Sequence, residues 1–271
     1  MILINKKYNI PFIKILSITL TLLIITTNSF AQTITPKEIE QDLLHTSSII
    51  LPYYYGNFDS LFFYSSLFSN KITTYVSKYP STLSYPFQKL IDSNHCNITT
   101  STDGLFRIYS WDTWLGGTMH FFKNIFQYKS GDKVYSKIFE LPEGDPSCFY
   151  SQVFTLKAMN KTYYLAVGNG IYSSKDASQS LQVFSIENNS LNNTEKLFKT
   201  QKGLTNMIDL NYDFFSVVDR PERPVRLIKY DSVKQIIYIS VIAENGKVNN
   251  KLIEYKFNGQ YFEQEQRSDE K

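Results

Sequence analysis

Apolar residues recur at three- and four-residue spacing over the first third of the chain, and the period then shortens towards two. Ile39, Leu43 and Ile50 mark one face of a helix. Its start is the run Thr35-Pro36-Lys37-Glu38. A threonine cap, a proline at the first helical position and a glutamate three residues on form a capping box, with Ile34 and Ile39 at the staple positions. Pro52 is expected to stop this helix. A second helix is expected to start at Asn57 or Asp59, carrying Leu61, Phe68, Ile72, Tyr75, Val76 and Tyr79, and Pro80 ends it. A short third one follows Pro86 with Phe87, Leu90 and Ile91.

From about Leu105 to Phe262 the alternation is that of strands, with turn residues between them. Asp103-Gly104, Ser130-Gly131-Asp132, Asn188-Asn189-Ser190, Asn245-Gly246 and Asn258-Gly259 punctuate runs rich in Tyr, Phe, Val and Ile. Asn245-Gly246 is the strongest hairpin signal, and it predicts a type I′ turn with positive φ at both residues. No helical pattern separates the strands, which argues against parallel βαβ units. The predicted fold class is therefore α+β and mainly β. Helices of residues 32–94 pack on an antiparallel meander of about ten strands over 95–262, built as a curved sheet, a sandwich or an incomplete propeller. Residues 263–271 read as a disordered polar tail.

Residues 1–31 read as an export signal. Lys6, Lys7 and Lys14 form a basic start, Ile15 to Thr27 is too short to cross a bilayer comfortably, and Ser29-Phe30-Ala31 suits signal peptidase. Cleavage is expected between Ala31 and Gln32, leaving a mature chain with no membrane span in a periplasmic or extracellular setting. The chain of 271 residues carries a formal charge of +3, but the three lysines of the signal account for all of it. A neutral mature chain lacks the concentrated basic surface of a nucleic-acid binder. Cys96 and Cys148 are candidates for a disulfide in an oxidising compartment, against the alternative of two separate buried thiols. The scattered cysteines and histidines have no metal-ligand spacing, so no metal or cofactor is expected. Gly168-Asn169-Gly170 sits in a strand pattern and not before a helix, which argues against a phosphate loop.

One segment concentrates unusual residues, from Asp103 to Tyr128. It reads as strand, loop and strand, with Asp112 to Gly117 as the loop. If Trp111 stands opposite Thr118, one side carries Arg107, Tyr109, Trp111, His120 and Phe122, with Trp114 at the tip. Phe106, Ile108, Met119 and Phe121 then form the core side. The first face is a candidate binding surface, since aromatic rings stack on sugars or side chains while Arg and His supply directed hydrogen bonds. The competing reading packs it beneath the helices, with Arg107 and Asp112 as a structural pair.

The same stretch carries a resemblance. Ser84-Tyr85-Pro86-Phe87, then Asp103-Gly104-Leu105-Phe106-Arg107-Ile108-Tyr109-Ser110-Trp111-Asp112-Thr113 and Gly116-Gly117-Thr118-Met119, resembles a group of uncharacterised exported proteins of Bacteroidota. The resemblance implies a secreted bacterial protein and no particular activity. No catalytic motif is present, so the expected function is a non-catalytic binding or structural module of the bacterial envelope, with a glycan or protein as partner. The alternative is a glycan-directed hydrolase. Asp103 and Asp112 cannot form its acid–base pair, because an extended strand sets them about 25–30 Å apart, whereas such pairs sit about 5–10 Å apart. Glu143, Asp145 or Asp213 would have to contribute.

Overall fold

The computed structural model describes residues 34–265, apart from Tyr55 and Met159. The expected export signal, its cleavage point at Ala31–Gln32 and the chain beyond residue 265 lie outside the described residues. The described residues from Pro36 on belong to one unit.

Four helices open it: α1 (Pro36–Ser48), α2 (Ile50–Tyr53), α3 (Phe58–Lys78) and α4 (Gln88–Asp92). Asn57 caps α3 by accepting the Ser60 N–H at 3.0 Å. Leu61, Phe68, Ile72 and Val76 of that helix are buried on one face, as their spacing predicts. The helix ends at Lys78 because Tyr79 precedes a proline and is pushed to extended backbone, at φ −115° and ψ 99°. Pro52 does not stop the first helix, against expectation. That helix ends at Ser48, and Pro52 lies in the separate turn α2. A first-turn residue has no intrahelical acceptor for its N–H, so proline loses nothing there.

Fifteen strands follow among the described residues, in three sheets. The surplus over the expected ten comes from short strands of three or four residues. The first sheet is the meander β1 (Asn97–Thr100), β2 (Phe106–Asp112), β3 (Phe122–Ser130) and β4 (Lys133–Lys137). The second holds β5 (Phe149–Ala158), β6 (Lys161–Ile171), β7 (Asp176–Glu187), the short β8 (Ser190–Asn192) and β11 (Met207–Asp213). The third holds β9 (Phe198–Thr200), β10 (Gly203–Thr205), β12 (Ile228–Asp231), β13 (Ile236–Ile242), β14 (Val248–Phe257) and β15 (Phe262–Gln264). All pairings are antiparallel except that of β15 with β9. None of the sheets closes into a barrel.

Every predicted turn falls between strands or just before one. Their chemistry differs from expectation at one place. Asn245-Gly246 has positive φ only at Gly246 (81°), because Asn245 uses its side chain to accept the Lys247 N–H at 3.1 Å. The pair with positive φ at both residues is Asn188 (48°) and Asn189 (63°).

The layers are set by alternation along β6. Leu165 and Val167 face Phe198, Ile228, Ile237 and Phe262 of the third sheet. Tyr164 and Ala166 face Phe106, Ile108, Phe126 and Tyr128 of the first. The middle of the second sheet is thus covered on both sides, which explains why β6 and β7 are nearly continuously buried. The helices cover the outer side of the first sheet. Trp111 donates its indole N–H to Ser69 Oγ at 2.9 Å, and Gln127 donates to the Val76 carbonyl at 2.9 Å. The α+β class and the helices packed on antiparallel strands match the reading of the sequence.

Candidate functional site

The aromatic face of the β2–β3 hairpin is divided by the structure. The hairpin register pairs Trp111 with Lys123, Tyr109 with Ile125 and Arg107 with Gln127. The expected pairing of Trp111 with Thr118 is displaced by five residues. The connection is correspondingly longer, residues 113–121 in place of Asp112 to Gly117. An odd displacement exchanges the faces, so Phe122 joins Phe106 and Ile108 on the inner side. Met119 and Phe121 lie in the connection and are only half-buried.

Arg107, Tyr109 and Trp111 are closed off beneath the helices, Tyr109 completely. Arg107 does not pair with Asp112. Its Nη1 donates to the carbonyls of Thr82 (2.8 Å) and Tyr85 (2.5 Å), and its Nε to Thr100 Oγ1 (2.7 Å). The sequence shows a cation here but not the carbonyls waiting for it. Burial raises the Tyr109 hydroxyl to about 12, and it donates to the Thr82 carbonyl. These three residues hold the helices on the sheet.

Trp114 and His120 are separate from them, at the open end of the hairpin. Asp112 organises this end. One of its oxygens accepts the Trp114 N–H at 2.8 Å, and the other meets His120 Nδ1 at 2.5 Å. Trp114 takes φ +60°, and Gly117 takes φ +62°, so that the chain can return. Gly116 is required for a different reason: a Cβ there would stand 2.0 Å from the Met119 carbonyl oxygen. The His120 backbone N–H then donates to the Ile171 carbonyl at 3.0 Å, which ties the connection to the end of β6. The Asp112 hydrogen bond raises the His120 pKa, and partial burial opposes it. With Nδ1 engaged, Nε2 has no hydrogen-bond partner among the described residues. No partnerless buried side-chain nitrogen or oxygen occurs among them, so solvent reaches it. The imidazole is 30% exposed.

His120 lines a cleft of about 620 Å³. Its walls are the 113–121 connection, the end of β6 with the turn after it, the end of β11, and the 223–225 segment. Phe149, Tyr212 and Phe214 supply rings. Asn94, Asn97, Thr118 and Ser174 supply amides and hydroxyls that engage no hydrogen-bond partner among the described residues. Asn169 is also there, but its amide is used by Gln179 and Ser151 at 2.8 and 2.9 Å. Arg223 stands over the Phe214 ring, 5.4 Å from its centroid, and donates to the carbonyls of Val218, Arg220 and Glu222. Among the described residues, no Asp, Glu or Lys lines the cleft.

No family model matches this chain, and no curated protein matches it. The site must therefore be read from its own chemistry.

A second hollow, of about 600 Å³, lies between α3, the first sheet and residues 138–147. Lys123 and Glu140 line it, but they form no ion pair. Cys96 and Cys148 are free thiols. Burial pushes the Cys96 thiol far up and that of Cys148 up to about 12, so neither is a ready nucleophile. No group of His, Cys, Asp or Glu suited to holding a metal ion occurs among the described residues, nor does a helix long and apolar enough to cross a membrane. Asn94, Asn97, Tyr212, Phe214 and Arg223, which the sequence did not point to as a binding surface, come from segments far apart in the chain.

Proposed function

We propose that the protein is an exported, non-catalytic binding protein of a bacterial envelope, and that its ligand is a glycan held in the cleft beside His120. The observation that carries this reading is the lining. The partly exposed rings of Phe149 and Phe214 offer stacking surface beside the largely buried Tyr212, and unengaged amides, hydroxyls and an imidazole stand around them. Sugars present apolar ring faces edged by hydroxyl groups, which such a lining matches. The expected export signal and the resemblance to secreted Bacteroidota proteins support an envelope setting. A two-carboxylate glycan hydrolase fits less well. No carboxylate among the described residues lines the cleft, Asp103 accepts from Tyr164 at the other end of β2, and Asp112 is committed to His120.

Saturation-transfer NMR of the purified protein against a panel of neutral and acidic envelope oligosaccharides tests the proposal. At least one should bind, and Phe214→Ala, whose ring is half-exposed, should weaken it while the protein stays folded. Binding by none, or binding untouched by Phe214→Ala, overturns the reading.

A further inference from the structure

The side chains that line this cleft carry charge of one sign, while the acids beside it are engaged elsewhere: Asp176 accepts from Ser173 at 2.8 Å and Asp213 meets Lys175 at 3.8 Å. Among the described residues, His120 and Arg223 are the only lining residues that can carry a charge at neutral pH, and both would be positive. The charged and titratable groups of the two hollows His120 touches are Asp112, Arg223, Tyr54 and Tyr212. Of these only Asp112 is an acid. It holds the Nδ1 side of the ring, away from the free Nε2. Trp114 and Phe122 flank the ring at 6.3 and 6.1 Å between centroids, and neither brings charge. Arg223 spends both Nη1 hydrogens and one on Nη2 on backbone carbonyls. Its Nε–H and its net charge remain.

From this placement we infer that the glycan is acidic: a saccharide bearing a carboxylate, which His120 Nε2–H receives while Arg223 adds attraction and the rings of Phe149 and Phe214 take the sugar faces. This deepens the proposed function and rests on it. The protonation logic follows from the geometry. Nδ1–H is held by Asp112, so a neutral imidazole presents a lone pair at Nε2, which repels a carboxylate. Only the imidazolium presents an N–H there. The Asp112 carboxylate favours that charged form and extends it to higher pH. Its own negative charge lies beyond the ring from a ligand at Nε2, so the attraction nearest the ligand is the stronger one. Affinity should therefore fall as pH rises through the His120 pKa.

The test compares a short oligogalacturonate with its uncharged amide by titration calorimetry of the full-length purified protein, at pH 5.5 and pH 8.5. At pH 5.5 the acid should bind about tenfold more tightly than the amide, the effect of one charge-assisted hydrogen bond. The preference should shrink at pH 8.5. His120→Gln should remove both the preference and its pH dependence, with its unfolding curve checked to show that it folds. Equal binding of acid and amide would overturn the inference and leave the glycan cleft standing. So would binding of a neutral envelope oligosaccharide when the oligogalacturonate fails. If no saccharide of either kind binds, the glycan reading and this inference fall together.

Discussion

Trp111 fills the space between α3 and the first sheet. It is 2% exposed, its indole N–H is satisfied by Ser69, and its ring meets Phe68 edge-on at 6.3 Å. Trp111→Ala should cost about 3–5 kcal/mol in denaturant unfolding, as deletion of a buried aromatic ring does. A near-zero loss would mean that the helices do not hold this face. Glu40 is a second residue whose work cannot be guessed from its type. It stands buried in α1 and accepts the Lys89 N–H at 2.9 Å, the Leu90 N–H at 3.3 Å and the Tyr85 hydroxyl at 3.0 Å. The start of α4 needs this help, since Phe87 precedes it at φ 52° and offers no side-chain cap. Glu40→Ala should lose about 3 kcal/mol, because a cluster of donors is left without its acceptor. Glu40→Gln, which keeps one acceptor oxygen, should lose less in the same thermal unfolding series.

Among the elements, β6 carries the most constraints. Gly168 and Gly170 are not parts of a nucleotide loop, and the strand pattern around them is real. They allow close approach of neighbours: a Cβ at Gly168 would stand 2.7 Å from both Cys148 Sγ and Ser180 Oγ, and one at Gly170 would stand 2.6 Å from Ser178 Oγ. Gly168→Ala should destabilise the protein by about 1–3 kcal/mol through overpacking, measurable by urea titration. Between these glycines, Asn169 joins Gln179 in a buried network. Gln179 Oε1 accepts the N–H groups of Leu227 and Ile228 at 2.9 and 2.8 Å, and its amide donates to the Val225 carbonyl at 2.7 Å. That network fixes the segment beside Arg223 against the second sheet. One element therefore supplies both the central layer and the floor of the cleft.

For the molecule as a whole, the Asp112–His120 contact couples the cleft to stability. A histidine whose folded pKa is raised contributes stability that is fully present below its unfolded value of about 6.5. The contribution is lost as pH rises through the folded value. Stability should thus decline with rising pH above about 6.5, and Asp112→Asn should flatten the slope. Thermal unfolding between pH 5.5 and pH 9 measures both. A slope unchanged by Asp112→Asn would place the pH dependence elsewhere.

The chain's own pattern determined the two main helices between residues 36 and 78, the positions of the five turns marked by Asn, Asp, Ser and Gly, and the predominance of antiparallel strands. These depend on neighbours within a few residues, through caps, prolines, glycines and alternation. The pattern also showed that Arg107, Tyr109 and Trp111 share a face. It could not decide what covers that face, because the covering carbonyls of Thr82 and Tyr85 and the hydroxyl of Ser69 belong to other elements. Nor could it set the hairpin register. Ser65 receives nothing local to advertise its hydrogen bond to the Thr113 carbonyl at 2.7 Å, yet that contact and the Asp112–His120 pair shape the long connection. The cleft itself was left to the tertiary structure. Its lining comes from segments around residues 94, 118, 149, 170, 213 and 224, and only the stacking of the sheets brings them to one place.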